Sequence, residues 1–243
     1  MSPRSIVEHL KDRNVQLAAL TDHNTALNCP AFGFACRKKG IVPLYGIEAQ
    51  GQEECHILCL FAELEQALDF ASELYGLMPP VMNIPEKTGD QVYVDENENI
   101  LGEVDKFLIS SANISLERLA KRVIDIGGIL IPAHVDRPSF SLSSQLGFIP
   151  DGPWSALEIV RMPEEGQSII GSDGRFLDTR GYPLVTSSDA HYIEHIARRA
   201  FGLDIADDSL TDSNGHANLK TIKAALARRP RNRTDLLSAN YFR

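Results

Sequence analysis

Short apolar runs alternate along the chain with longer segments in which apolar residues recur at helical spacing. The runs that indicate strands cover residues 17–20, 41–47, 129–133 and 184–188. Runs of this length between polar turns are typical of buried β-strands. The clearest helical stripe consists of Leu64, Ala67, Leu68, Ala71 and Leu74. Alternating strands and helices predict an α/β fold, either a barrel or a doubly wound sheet.

Each predicted strand leads into residues that bind metals. These residues are Asp22 and His23 after the first strand, Glu48 after the second, His134 after the third, and Asp189 and His191 after the fourth. In sheets of parallel strands the carboxyl ends share one rim, and active sites sit there. We therefore expect these side chains to converge into one cluster.

His56 differs from the others because it stands at the start of its strand. A polar turn over residues 50–54 separates it from Glu48. If residues 55–61 run back beside the strand that precedes Glu48, the resulting hairpin brings His56 close to this carboxylate. At the other end of the chain, Asp189 and His191 are two residues apart and point the same way on extended backbone, so the pair can serve two neighbouring metals.

Two stretches interrupt the alternation of strands and helices. Residues 81–113 predict a loop and a hairpin, with strands at 91–94 and 100–103, inserted against the rim. Residues 204–243 predict a polar C-terminal segment that contains one last helix over 219–226. Neither stretch carries a candidate ligand, so the predicted cluster depends on the regular part of the chain.

The composition is that of an ordinary globular protein. The 243 residues include 43% hydrophobic residues and carry a formal net charge of -9, which argues against general nucleic-acid binding. The chain has no apolar run of about 18 residues and no signal-peptide pattern at its start. The cysteines lie in or beside apolar segments, which favours buried thiols over disulfides. We therefore expect a cytoplasmic protein with no membrane partner.

Several motifs in their order along the chain resemble the PHP (polymerase and histidinol phosphatase) family of metal-dependent phosphoesterases, from residue 2 to about residue 203. They are the segments 20–25, 46–48, 56–58, 132–134 and 188–191. The resemblance implies a single domain over 1–243, built as a distorted seven-stranded β/α barrel. It also implies up to three divalent ions (zinc, manganese or iron) at the carboxyl rim, and hydrolysis of phosphate esters.

The resemblance further implies a role for each candidate side chain. Glu48 corresponds to a carboxylate that bridges two metals, and Asp22 to a carboxylate that orients a ligand histidine from behind. The other implied ligands are His56 and His134 for the second metal, Asp189 for the first, and His23 and His191 for the third. The implied catalytic residues are Glu48, Asp189 and His191, which serve two-metal hydrolysis without a protein nucleophile.

The family begins with a strand that carries Asp-x-His-x-His, and this sequence has no such segment before its first predicted helix. We therefore expect the barrel to lack its first strand and to bind fewer than three metals, with only the set Glu48, His56 and His134 complete. The chain is either a shortened form of an active enzyme or a degenerate domain that binds metal without catalysis. The filled ligand positions favour the first interpretation.

Two arginines are candidates for contact with a substrate phosphate from the rim. Arg137 lies three residues after His134, and Arg161 follows the apolar run 157–160; a guanidinium suits phosphate through its fork of donors. The predicted substrate is a small phosphorylated metabolite, a nucleotide or an oligonucleotide end. An amidohydrolase-like metal-dependent hydrolase is the alternative class, although Glu48 and the Asp189–His191 pair argue against it. The sequence leaves the metal and the oligomeric state open.

Overall fold

The computed structural model describes residues 1–164, 167–171, 173–206, 209–228 and 231–232. The α-helices are α1 (Pro3–Asp12), α2 (Cys29–Lys39), α3 (Leu64–Leu77), α4 (Pro85–Thr88), α5 (Leu116–Asp125), α6 (Leu142–Leu146) and α7 (Leu219–Leu226). The strands are β1 (Leu17–Leu20), β2 (Val42–Gln50), β3 (His56–Phe61), β4 (Val92–Val94), β5 (Ile100–Glu103), β6 (Ile129–Pro132), β7 (Leu157–Glu158), β8 (Leu184–Val185), β9 (Phe201–Gly202) and β10 (Arg231–Asn232). No helix in this part of the chain is long and apolar enough to cross a bilayer.

One four-stranded sheet, in the order β1-β2-β3-β6, forms the centre of the fold. β1 runs parallel to β2, whereas β3 runs antiparallel to both β2 and β6. Strands β1, β2 and β6 therefore end at the same edge of the sheet, and β3 begins there. The sequence predicted such a shared rim, and it predicted correctly that residues 55–61 return beside the second strand.

The α/β class is confirmed, whereas the predicted distorted seven-stranded barrel without its first strand is not confirmed, because the sheets that the described residues form do not close. Besides the central sheet they form three two-stranded pairs, β4-β5, β7-β8 and β9-β10. Two backbone hydrogen bonds connect the β6 segment with the β7 segment, from Ser155 to Leu130 and from Val135 to Glu158. Strands β7 and β8 have only two residues each, so they pair with each other in one short ladder. No described strand pairs with the outer edge of β1, and the absence of a first strand stays a prediction.

Alternation along the strands sorts the core into an inner and an outer face of the central sheet. On the inner face, Leu44, Leu60 and Ile131 pack with β8 and α7. On the outer face, Ile47 and Leu130 pack with α3 and α5. A third group of buried side chains joins α1 and α2. Side chains alternate between the two faces along a strand, so Glu48 lies on the same inner face as Leu44, four residues earlier on β2.

The two stretches that interrupt the alternation contain the predicted elements. Strands β4 and β5 pair antiparallel, and Asp95 caps the turn between them by accepting from the backbone N–H groups of Asn97 and Asn99. Asn28 ties the hairpin to the rim, because its amide donates to Val92 and to Asp22. Helix α7 covers the predicted last helix. The predicted C-terminal segment lies partly outside the described residues, at 207–208, 229–230 and 233–243, and the division of the chain into domains stays a prediction.

We expect the substitution Gly46→Ala to destabilise the central sheet, because the neighbouring strands leave no room for a Cβ atom at Gly46. A Cβ atom there would lie 2.7 Å from Thr21 Cγ2 and 2.8 Å from Leu60 Cδ2. Overpacking of this kind costs about 1–3 kcal/mol of unfolding free energy, which urea denaturation measures. The control Gly76→Ala, in α3 with no atom within 4 Å, should be neutral or stabilising. Equal stability of both variants would contradict the tight contact at Gly46.

Candidate metal centre

The backbone brings His23 and Glu48 together by extending the pairing of β1 with β2 beyond the last residue of β1. The two residues form an isolated parallel bridge. The amide of Glu48 donates to the carbonyl of Asp22 at 3.1 Å, and the amide of Asn24 donates to the carbonyl of Glu48 at 3.1 Å. In this arrangement His23 Nδ1 lies 3.5 Å from Glu48 Oε2.

The hairpin between β2 and β3 delivers His56 to the other carboxylate oxygen. Its register pairs Gln50 with His56, and His56 Nδ1 lies 3.0 Å from Glu48 Oε1. The opposite ring nitrogen, Nε2, lies 3.0 Å from Gln50 Oε1. Gln50 Nε2 donates to Ser111 Oγ, so the amide presents its oxygen to the ring. A proton on His56 Nε2 would match this acceptor, and Nδ1 faces the carboxylate.

His134 reaches the same carboxylate because the backbone leaves the strand conformation after Pro132. Continued alternation from Ile129 and Ile131 would turn this side chain to the outer face of the sheet. Instead, His134 has a φ of 34°, and its Nε2 lies 3.4 Å from Glu48 Oε1. Residues other than glycine with positive φ are held by their surroundings and are common at functional sites.

The electrostatics of the cluster favour an ionised carboxylate among imidazoles. Burial alone would raise the pKa of Glu48, but its contacts with His134 and His56 lower that pKa below its ordinary range. Burial lowers the pKa of His23, so its ring is neutral at neutral pH. A carboxylate with imidazole nitrogens around it is a donor set for a divalent cation such as zinc.

The fit to a metal can be tested on the atoms themselves. One ligand atom from each of His23, Glu48 and His56 lies within 4.8 Å of the others. His23 Nδ1 is buried and has no hydrogen-bond partner among the described residues. Buried polar atoms without a partner are rare in proteins, and a cation between this nitrogen and Glu48 would satisfy it. The residues present therefore fit a divalent metal.

The predicted pair Asp189 and His191 borders this cluster. The His191 ring lies 6.3 Å from the His23 ring, between centroids, and its side chain is 63% exposed. Asp189 Oδ2 accepts a hydrogen bond from Arg137 Nη1 at 2.6 Å. The structure thus places His191 beside His23, while Asp189 forms an ion pair with one of the two arginines predicted to contact a phosphate.

Two further predicted residues make other contacts. Asp22 accepts a hydrogen bond from Asn28 Nδ2 at 3.2 Å, and burial raises the pKa of Asp22. This contact joins Asp22 to the β4-β5 hairpin through Asn28, and no described hydrogen bond joins it to a histidine. Arg161 is exposed and forms no ion pair with the described residues. The predicted roles of both residues stay predictions.

Sequence reasoning did not identify three residues of the site. Gln50 holds His56, and the Phe140 ring stacks on the His56 ring with centroids 5.0 Å apart. Glu158 is 1% exposed at the end of β7, and burial raises its pKa to about 7. Glu158 follows the apolar pair Ala156 and Leu157, so the rule that found Glu48 at a strand end could also have found Glu158.

Comparison with known proteins gives a family and two similar folds. The family model of the PHP domain matches residues 1–131. The lesion-specific endonuclease PfuEndoQ from Pyrococcus furiosus has a TM-score of 0.58 and 16% identity, over 96% of this chain and 53% of that chain. Endonuclease Q in complex with a 27-mer duplex containing an abasic lesion has a TM-score of 0.56 and 16% identity, over 93% of this chain and 51% of that chain.

The chain thus spans about half the length of these endonucleases, and the likeness concerns the fold. A putative metal-dependent phosphoesterase from Bifidobacterium adolescentis has a TM-score of 0.45 and 13% identity, over 94% of this chain and 91% of that chain. No curated protein matches the sequence.

We expect Glu48→Gln to abolish tight zinc binding, because the substitution keeps the shape of the side chain and removes its charge. Removing a residue that only hydrogen-bonds a metal ligand typically weakens metal binding by about 10–100-fold, and the loss for Glu48→Gln should be larger. Competition with a chromophoric chelator measures it. The control Glu54→Gln removes one exposed charge from the neighbouring turn and should leave the affinity unchanged. Equal affinities of the two variants would show that Glu48 holds no metal.

Proposed function

Because this chain belongs to the PHP domain family, we propose that it is a metal-dependent phosphoesterase centred on the Glu48 carboxylate. The observation that carries this proposal is that the two carboxylate oxygens of Glu48 face different histidines. Oε1 lies close to His56 and His134, whereas Oε2 lies close to His23. This geometry supports a carboxylate that bridges two cation positions, one on each side.

The surrounding side chains supply the rest of the proposed site. His56 and His134 would hold one cation, and His23 and His191 would face the other side of Glu48. Asp189 would join the set when it exchanges Arg137 for a cation. Divalent ions at such a cluster, whether zinc, manganese or iron, activate water and offset charge on a phosphate.

We propose Arg137 as the residue that contacts the substrate phosphate. Its side chain is 39% exposed, so the guanidinium can offer donors to a phosphate while it still contacts Asp189. We propose a small phosphorylated metabolite, a nucleotide or an oligonucleotide end as the substrate. The net charge of -9 favours small substrates, and the fold shared with endonuclease Q favours the oligonucleotide end.

A second candidate function is metal binding without catalysis. The observation in its favour is the ion pair between Asp189 Oδ2 and Arg137 Nη1, 2.6 Å apart, which occupies one oxygen of this carboxylate, while the other oxygen lies 3.7 Å from His191 Nδ1. In that case the cluster of Glu48, His56 and His134 would stabilise the sheet edge by binding one cation. The two candidates differ in one measurable property, which is hydrolysis.

We expect the manganese-loaded or zinc-loaded protein to hydrolyse a chromogenic phosphate monoester or diester. His134→Ala and Asp189→Ala should each lower kcat/KM by more than about 100-fold, as is usual when groups that stabilise transition-state charge are removed. The control His216→Ala changes an exposed histidine that lines a cavity with Pro43, near the opposite end of β2.

Activity that survives both site substitutions would refute the assigned site. Tight metal binding without hydrolysis of monoesters, diesters, nucleotides or short oligonucleotides would favour the second candidate. A panel of these four substrate types therefore decides between the two functions and narrows the substrate class in one experiment.

We expect Arg137→Ala to raise KM for a phosphate ester by about 10- to 150-fold, because a hydrogen bond to a charged group contributes about 1.5–3 kcal/mol. Arg161→Ala is the matched comparison, since Arg161 is exposed and forms no ion pair with the described residues. Steady-state kinetics on both variants measure the difference. A larger effect of Arg161→Ala would assign the phosphate contact to that residue instead.

A further inference from the structure

Glu158 is a buried acidic residue that the proposed function does not use. Its backbone lies beside the His134 segment, because the amide of Val135 donates to the carbonyl of Glu158 at 2.8 Å. Its sequence neighbours Leu157 and Ile159 pack in the outer core, whereas Ala156 packs in the inner core. Alternation along β7 therefore turns Glu158 to the inner face, towards the level of the cluster.

Two buried atoms on these segments have no hydrogen-bond partner among the described residues, namely Glu158 Oε1 and His134 Nδ1. The residues are 1% and 2% exposed, so bulk solvent does not reach these atoms. Burial raises the pKa of Glu158, and the nearby His134 ring and a hydrogen bond from Ser187 act in the opposite direction. Glu158 Oε1 is an acceptor and His134 Nδ1 can be a donor, so each could be the hydrogen-bond partner that the other lacks.

A hydrogen bond from His134 Nδ1 to Glu158 would determine the protonation of the other ring nitrogen, Nε2. Nε2 lies 3.4 Å from Glu48 Oε1, on the side of the cluster. A proton on Nδ1 would leave the lone pair on Nε2, which is the form that binds a metal. Histidine ligands commonly donate their other N–H to a carboxylate, which fixes the tautomer and the ring orientation.

We propose that Glu158 is a positioning residue that accepts a hydrogen bond from His134 Nδ1 and thereby directs the Nε2 lone pair of His134 towards the Glu48 cluster. The inference rests on the proposed function in so far as a cation occupies that cluster. It deepens that function by assigning a role to a buried carboxylate on a fifth strand, β7, in addition to the four strands that carry or precede His23, Glu48, His56 and His134.

Zinc titration against a chromophoric chelator tests the proposal on the full chain. Glu158→Met keeps the volume and removes the acceptor, and we expect it to weaken zinc binding by about 10–100-fold. Glu158→Gln keeps a carbonyl oxygen and should weaken binding less than Glu158→Met. The control Thr186→Val removes a buried hydroxyl that donates to the Arg199 carbonyl at 2.7 Å, and it should change stability without changing the zinc affinity.

Nitrogen-15 spectra of the histidine rings add a readout that a purely structural role would not move. In the wild-type protein His134 should be protonated on Nδ1, and this signal should weaken or shift to the other tautomer in Glu158→Met. A folded Glu158→Met variant with the zinc affinity of Thr186→Val and an unchanged His134 spectrum would overturn the proposal. If the wild-type protein binds no zinc, the proposed function fails, and the His134 tautomer in the two zinc-free proteins still decides the role of Glu158.

Discussion

The buried charge of Glu48 is the constraint on which the rest of the site depends. A carboxylate removed from water costs several kcal/mol unless charged or polar groups compensate it. Here the compensation comes from three histidines on three different segments of the chain, His23, His56 and His134. The register of the central sheet sets the distances between them. A shift of one residue in β2 would turn Glu48 to the outer core and leave the histidines without their anion.

Local patterns were sufficient to predict the parts of the fold that carry these residues. The apolar runs that end in candidate ligands overlap with strands of the structure. The polar turn between Glu48 and His56 predicted that residues 55–61 run antiparallel to β2, as they do. The bounds of α7 match the predicted helix over 219–226. These elements could be predicted because the information lies in neighbouring residues, through periodicity and turn chemistry.

The features that could not be predicted depend on contacts between distant residues. Strands β7 and β8 are too short for their apolar patterns to show whether a barrel closes. The ion pair of Arg137 with Asp189 joins residues 52 positions apart, and nothing in either local sequence indicates it. Gln50 was overlooked for a different reason: only the register of the hairpin places its amide against the His56 ring.

Strained backbone conformations around the cluster indicate that the surrounding fold holds the ligand side chains in place before a cation binds. His134, Phe140 and Asp189 have positive φ values of 34°, 54° and 43°, which cost energy for residues with a Cβ atom and persist only where the surroundings hold them. The surroundings do so: the carbonyl of His134 accepts from Arg137, and that of Phe140 accepts from His56. The ring of His134 is thus aimed at Glu48 by hydrogen bonds of the backbone. A ligand set held in this way before a cation arrives loses little conformational entropy on binding, which is the physical advantage of building the site on strand ends.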